Sequence, residues 1–292
     1  MQVPLLVGYA AVIVSLLALA APASSRSSSG PPLPQTLAVP SYWYPSTATG
    51  APWPRALLAA PPVDLVIVNP DSGPGTARDA AYAAQVLHAH AASPTLSVLG
   101  YVHTSYGRRD PAAVHAEVLA YFSWYALDGI FVDEVATAAA DAPYYAALAA
   151  FIRAQPPPPA ARGAAKLGLR AAAAAPLVVL NPGTSIDAAY EPSFDLVMSF
   201  EDSAAAYERF EPAPWMLNSS ALAPARVWHC VHSVPDGPPG NATGPLAAAV
   251  QRAKALNAGV LYATNETLPN PYAGLPGEIF WEDLIRWATN HL

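Results

Sequence analysis

Two rhythms of apolar residues alternate along this chain. Short runs of four to eight residues rich in Val, Ile, Leu, Phe and Tyr are bounded by Gly, Pro, Asn, Asp or Ser, which predicts buried strands. These fall at 37–44, 63–69, 96–103, 129–134, 177–181, 196–201, 227–233 and 259–264. Between most of them lie longer, alanine-rich stretches at helical spacing, at 77–91, 111–125, 142–154 and 246–258, with 278–291 closing the chain. Strands alternating with helices imply βαβ units and a parallel sheet. Eight such units close into an α/β fold of the (β/α)₈ type, a single-domain barrel that typically needs ~250 residues. The first and fifth helices carry the weakest pattern. A doubly wound open sheet is the alternative, but no Gly-x-Gly-x-x-Gly follows the first strand.

The pattern breaks in two places. Residues 5–21 form the one long apolar segment, ending in Ala21-Pro22-Ala23, the form of a signal-peptidase site. This predicts a signal peptide at 1–23 and a Ser/Pro-rich linker at 24–36, with the barrel at 37–292. No Lys or Arg precedes the apolar run, so an uncleaved anchor is the alternative. Three sequons, at Asn218, Asn241 and Asn265, agree with export to the extracellular space or cell wall, without stable membrane association once the leader is removed. The second break is 155–176, with four consecutive prolines and a five-alanine run. It has too few large apolar residues to pack. Falling between a helix and the next strand, it belongs to the N-terminal face of a barrel, away from the chemistry.

Composition excludes several function classes. The net charge is −7 and the 14 basic residues are scattered, so no phosphate-tracking surface for nucleic acid is expected. The single cysteine, Cys230, sits in an apolar run and is read as a small buried hydrophobe. There is no Gly-x-Ser-x-Gly elbow, no His-Glu-x-x-His and no Lys-Ser/Thr phosphate loop. His103, His229 and His232 lack ligand spacing, so they are read as structural with respect to metal, and no metal or cofactor is expected.

The candidate chemistry lies at the strand ends. Gly129-Ile130-Phe131-Val132-Asp133-Glu134 is a buried strand that runs into two adjacent carboxylates. Charged residues make up only 12% of the chain, and burying an unpaired charge is costly, so acids here point to a site at the barrel's C-terminal mouth. The sixth strand ends in Glu201, whose alternative role is a structural ion pair. Around these acids the strand ends supply Tyr44, Asn69, Asp71, Tyr101, His103, Tyr106, Asn181 and Tyr262 as candidate substrate contacts. Asn69 and Asp71 lie in a run that also reads as a turn cluster. Paired carboxylates with aromatic platforms and amide donors suit glycoside hydrolysis.

Taken in order, Val39-Pro-Ser-Tyr-Trp-Tyr-Pro45, Val68-Asn-Pro-Asp-Ser-Gly-Pro-Gly75, Gly100-Tyr-Val-His-Thr-Ser-Tyr106, Gly129-Ile-Phe-Val-Asp-Glu134 and Leu180-Asn-Pro-Gly-Thr184 resemble the spherulin-4 family, from about the first strand to the last. Some members of that family are assigned to glycoside hydrolase family 135. The resemblance implies a (β/α)₈ barrel and secreted, endo-acting cleavage of a polysaccharide containing α-1,4-linked N-acetylgalactosamine. It maps the catalytic acids onto Asp133, Glu134 and Glu201. On this reading Asp133 is the nucleophile, Glu201 the general acid/base, and Glu134 holds a sugar hydroxyl or amide. With a β-linked N-acetyl sugar, the substrate's acetamide would attack, with Asp133 orienting it and Glu134 as the acid. The rival class is a non-catalytic cell-wall or spore-coat protein that binds glycan at the same mouth.

Overall fold

The eight β-rich runs pair side by side in a closed parallel barrel, ordered β1 to β8, with β1 closing on β8. The strands are β1 (Thr36–Val39), β2 (Val63–Val68), β3 (Ser97–His103), β4 (Gly129–Asp133), β5 (Leu177–Leu180), β6 (Leu196–Ser203), β7 (Val227–His232) and β8 (Val260–Ala263). This computed structural model describes residues 34–46, 48, 50–156 and 175–289. The proposed leader at 1–23, nearly all of the linker and most of the 155–176 insertion lie outside the described residues. Gln35, assigned to the linker, already belongs to the barrel: it is buried and its side-chain amide donates to Ala258 O at 2.8 Å.

Helices cover the outside: α1 (Pro52–Leu58), α2 (Ala80–Ala92), α3 (Pro111–Trp124), α4 (Ala142–Arg153), α5 (Ala204–Tyr207), α6 (Pro214–Leu217), α7 (Pro245–Ala255) and α8 (Glu278–Thr289). Local chemistry fixes their starts. Asp79 and Asp110 cap α2 and α3 by accepting from backbone N–H groups one turn in, and Pro111 occupies a first-turn position where no donor is needed. The two weak slots of the sequence pattern are the irregular ones. α1 is two turns long, and the crossover after β5 is a 3₁₀ segment, Ala188–Ser193. Among the described residues no helix is long and apolar enough to cross a membrane.

The barrel interior is a packed aromatic core. Phe131 on β4 touches Trp228 on β7 with ring centroids 5.9 Å apart, and these strands are not neighbours, so both rings point inward. Tyr101 on β3 also meets Phe131. Side chains two apart share a face of a strand. Asp133 therefore follows Phe131 into the mouth, His103 follows Tyr101, and Cys230 follows Trp228.

β6 reaches the same result by a different route. Its register against β7 slips between Met198 and Phe200, so Met198 pairs with Trp228 while Glu201 pairs with Cys230. Ser199 is the extra residue of this bulge. Without the slip, Glu201 would align with Val231, one step out of phase, on the face toward the helices. The bulge turns Glu201 inward, as bulges next to active sites commonly do.

β1 is shorter than its apolar run, stopping at Val39. Pro40 has no N–H to donate, and the Ser41 hydroxyl accepts the Ile67 N–H at 3.0 Å in place of a strand partner. At the fourth strand, Gly129 lies so close to its neighbour that a Cβ there would stand 2.2 Å from Leu177 O.

Candidate active site

Asp133 and Glu201 meet at the C-terminal mouth, joined by one side chain. The Asn181 amide, just after β5, donates to Asp133 Oδ1 at 2.8 Å and to Glu201 Oε2 at 2.6 Å. Its orientation is determined by the loop. Asn181 Oδ1 accepts the Gly183 N–H at 2.8 Å, so the amide NH₂ must face the acids. Gly183 takes a positive φ of 65°, which glycine adopts without strain. Two bonds from one nitrogen hold the acceptor oxygens less than about 5.4 Å apart, short of the ~6.5–9.5 Å separation of inverting glycosidases.

The two acids have different environments. Asp133 accepts from Tyr101 Oη at 2.6 Å as well as from Asn181. Burial pushes its carboxyl above the ordinary aspartate range, and the Tyr101 hydroxyl, the Glu134 backbone and the Asn181 amide oppose that push. Glu201 is raised first by burial and then by the negative charge of Asp133, against the lowering effect of Asn181 and Tyr272. Among the described residues no basic side chain forms an ion pair with Glu201, which leaves the structural ion-pair role without a partner. Two acids this close cannot both ionise comfortably. The extra donors on Asp133 favour it as the ionised member, with the proton resting on Glu201.

Glu134 stands apart from this pair. Its backbone φ is 50°, in the left-handed region that a non-glycine residue rarely adopts. Its carbonyl accepts Tyr106 N–H at 2.7 Å and the Thr104 hydroxyl at 2.8 Å. The side chain, 40% exposed, meets His103 Nδ1 at 3.3 Å. Adjacent strand residues would face opposite ways; the left-handed turn brings Glu134 to the rim beside His103.

The remaining sequence candidates separate. Tyr101 and Asn181 bond directly to the acids, so they hold the carboxylates as well as facing the mouth. Tyr106 is exposed, with the Arg108 guanidinium 5.6 Å from its ring centre. Tyr44 is exposed and its hydroxyl reaches the capping carboxylate of Asp79, at 3.2 Å. Asn69 uses its side-chain oxygen on Gly73 N–H at 3.0 Å, the turn-cluster reading of that run, and Asp71 is exposed beside it. Tyr262 is a correction. It is fully buried, sharing a layer with Cys230 by register, and Tyr272 packs against it at 6.2 Å, so no substrate reaches it.

Two residues near the acids escaped the sequence reading. Tyr272, on the loop after β8, counts among the groups that lower the Glu201 pKa and accepts the Cys230 thiol proton, Sγ to Oη 3.3 Å. Tyr42 lies edge-on between Tyr101 and Tyr272, with centroids 5.7 and 5.9 Å away. Tyr42 stood in a quoted strand end; Tyr272 stands in a Pro/Gly-rich loop with no pattern to mark it. His229 is turned outward to Tyr207 Oη at 2.7 Å, and burial lowers its pKa to about 3. His232 bonds Ser233 at 2.9 Å. Among the described residues no group of three or more His, Cys, Asp or Glu could hold a metal ion. A separate cleft of ≈ 440 Å³, lined by Pro235, Leu246, Phe280 and Trp287, lies between the β7–α7 loop and α8 and includes none of Asp133, Glu134 and Glu201.

Comparison with known proteins agrees with this architecture. The family model described as Spherulation-specific family 4 matches residues 36–288. Spherulin-4 of Physarum polycephalum is 34% identical over 174 residues, covering 58% of this chain but 46% of that protein, so the match spans about half the length of that relative. Among solved structures, the crystal structure of Aspergillus clavatus Sph3 in complex with GalNAc superposes with a TM-score of 0.65 at 24% identity. The match covers 88% of this chain and 98% of that one, and the two share the barrel fold.

Proposed function

The chain belongs to Spherulation-specific family 4, and on that footing we propose that it is a glycoside hydrolase that cleaves an amino-sugar polysaccharide with retention of configuration. The observation that carries this reading is the pair of buried carboxylates held by the Asn181 amide at one barrel mouth. Asp133, ionised and aligned by Tyr101 and Asn181, attacks the anomeric carbon. Glu201, which keeps its proton, gives it to the leaving oxygen. Asp133 then carries the sugar as a glycosyl ester. Glu201, now a carboxylate, takes a proton from water, which attacks the same carbon and frees Asp133. Glu134 and His103 at the rim supply polar contacts to a ring hydroxyl or amide, and the exposed faces of Tyr44 and Tyr106 offer platforms for neighbouring sugars.

The preferred substrate is a polymer of α-1,4-linked N-acetylgalactosamine cleaved internally. The bound GalNAc of the Aspergillus clavatus structure supports this choice of sugar. In an α-linked sugar the 2-acetamido group lies on the same face as the leaving group and cannot attack in line, so a protein nucleophile such as Asp133 is required. The test incubates the protein with α-1,4-linked N-acetylgalactosamine oligomers and with β-linked N-acetylglucosamine oligomers. Product masses and the anomer first released are followed. Internal cleavage of the α-linked series with an α-anomer first is expected. Cleavage of the β-linked series alone would move the attack to the substrate's acetamide. Binding without any product would leave a glycan-binding protein on the same barrel.

A further inference from the structure

Left-handed backbone gathers on one side of the mouth. Ser105, Tyr106 and Gly107, in the loop after β3, have φ of 47°, 58° and 75°, and Glu134, at the end of β4, has φ of 50°. For a non-glycine residue such a conformation persists only where its surroundings enforce it. At Glu134 the enforcement is a closed line of hydrogen bonds. The Thr104 hydroxyl donates to Glu134 O at 2.8 Å, with Asp133 O the more distant acceptor at 3.3 Å. A hydroxyl has one proton, so the 2.9 Å bond between Thr104 Oγ1 and Tyr145 Oη is donated by the tyrosine. The tyrosine oxygen in turn accepts the Ala136 N–H at 2.8 Å. The line leaves the chain at Ala136 and returns to it at Glu134, through two residues that are both fully buried. We propose that Thr104, backed by Tyr145 on α4, is a positioning residue that holds Glu134 in its left-handed conformation and so sets the Glu134 carboxylate at the rim of the mouth.

The need for a clamp follows from strand geometry. Were the chain to continue past Asp133 in extended form, residue 134 would point to the opposite face, toward the helices. The turn at Glu134 prevents this, and the loop after β3 binds the turn from above. Thr104 N–H bonds Asp133 O at 3.0 Å, and Tyr106 N–H fills the second lone pair of the Glu134 carbonyl at 2.7 Å. Those are backbone groups, present whatever the side chains. Thr104 and Tyr145 supply the side-chain part, and burial keeps both from meeting substrate, so they act through Glu134. The threonine is itself held in place: next to it in the chain, His103 O accepts from the Arg109 guanidinium at 2.8 Å, and Arg109 pairs with Glu117. On its far side the turn is tied to the bridge between the acids, because Val135 N–H bonds Asn181 O at 3.0 Å. That the placed carboxylate contacts a sugar rests on the glycosidase reading above, and the test separates the two claims.

The test is Thr104→Val, which keeps the branched side chain and removes the hydroxyl. Two quantities are read in wild type and variant: the ¹³Cα and ¹³Cβ shifts of Glu134, which report its backbone conformation, and kcat and KM on α-linked oligomers. The Glu134 shifts should move toward extended values. KM should rise about tenfold, the loss of roughly one hydrogen bond to the sugar, with kcat little changed. Thr104→Ser, which keeps the hydroxyl, should restore both. In a Glu134→Ala background Thr104→Val should add nothing further to KM, because a residue acting through Glu134 then has nothing to position. Tyr145→Phe, which keeps the ring and its packing on Tyr144 and Tyr190, should move both quantities the same way by less. It is the deciding variant if Thr104→Val loses its fold by thermal melting. Unmoved Glu134 shifts in a folded variant, or an undiminished effect on KM in the Glu134→Ala background, overturn the proposal and leave Thr104 as packing. Shifts that move while KM does not sustain the clamp and remove Glu134 from sugar contact. If the wild type turns over none of the oligomers, the glycosidase reading falls and the shifts alone decide the clamp.

Discussion

Replacing Asn181 with alanine should show whether the amide is a clamp or a substrate contact. The amide bonds both acids, 2.8 Å to the ionised Asp133 and 2.6 Å to Glu201. Hydrogen bonds to charged groups contribute about 1.5–3 kcal/mol each. If only the bond to Asp133 matters for aligning the nucleophile, losing it lowers kcat roughly 10- to 150-fold, at about 1.36 kcal/mol per decade. The pH profile should move as well. Asn181 lowers the pKa of both acids, so its loss lets both rise, and both limbs of the profile shift to higher pH. A clamp therefore predicts a fall in kcat, little change in KM and an upward displacement of the whole profile. Steady-state kinetics on a defined oligomer between pH 4 and 9, with a melting curve to verify folding, decides the matter. A raised KM with kcat and profile unchanged would refute the clamp and return Asn181 to the substrate-binding role suggested by the sequence.

Asp133→Asn and Glu201→Gln should each reduce turnover by about 10²–10⁴ while raising the melting temperature at neutral pH. Both carboxyls are raised in the folded state, so their contribution favours folding below the unfolded pKa and is lost as pH rises through the folded one; the gain on neutralisation should appear at pH 7 and disappear in melts near pH 3. Gly129→Ala should destabilise the barrel by about 1–3 kcal/mol or more, because the new methyl meets the Leu177 backbone rather than a movable side chain; a wild-type denaturation midpoint would contradict that close approach. Expressed in a secreting eukaryotic host, the protein should begin near Ser24 and carry glycan, first at Asn218, which is exposed, and less readily at Asn265, whose amide nitrogen is bonded to Asp236 at 2.8 Å. Intact mass and glycopeptide mapping check both halves.

The strands and most helices were legible because burial forces period-two and 3.6-residue patterns onto the chain. Asp133 was legible for the same reason: it ends a strand in which every other residue is apolar. Tyr262 misled for the converse reason, since a strand-end tyrosine looks the same in sequence whether it opens on the mouth or lies under a later loop. What lay over it, Tyr272, comes from a loop whose path is determined by tertiary packing. Asn69 was correctly suspected as a turn residue because Asn, Gly and Pro carry local backbone preferences. The inward aim of Glu201 could not be read from alternation at all. Leu196, Met198 and Phe200 would share one face in a regular strand, leaving Glu201 on the other. Only the register against β7 reveals the slip.

That slip gives β6 a spare residue. Met198 pairs with Trp228 and Glu201 with Cys230 whether or not Ser199 is present, because a chain without it would run from one pair to the other as a regular ladder. Ser199 is itself buried with its hydroxyl unpartnered, so its deletion removes an unsatisfied polar group along with the kink. The strand should therefore tolerate a one-residue deletion at the position nearest the chemistry, where one would be expected to do most harm, while the same deletion in β4 would turn Asp133 away from its partner. A relative whose sixth strand is one residue shorter would align correctly with a gap at Ser199 and still present its acid to the mouth.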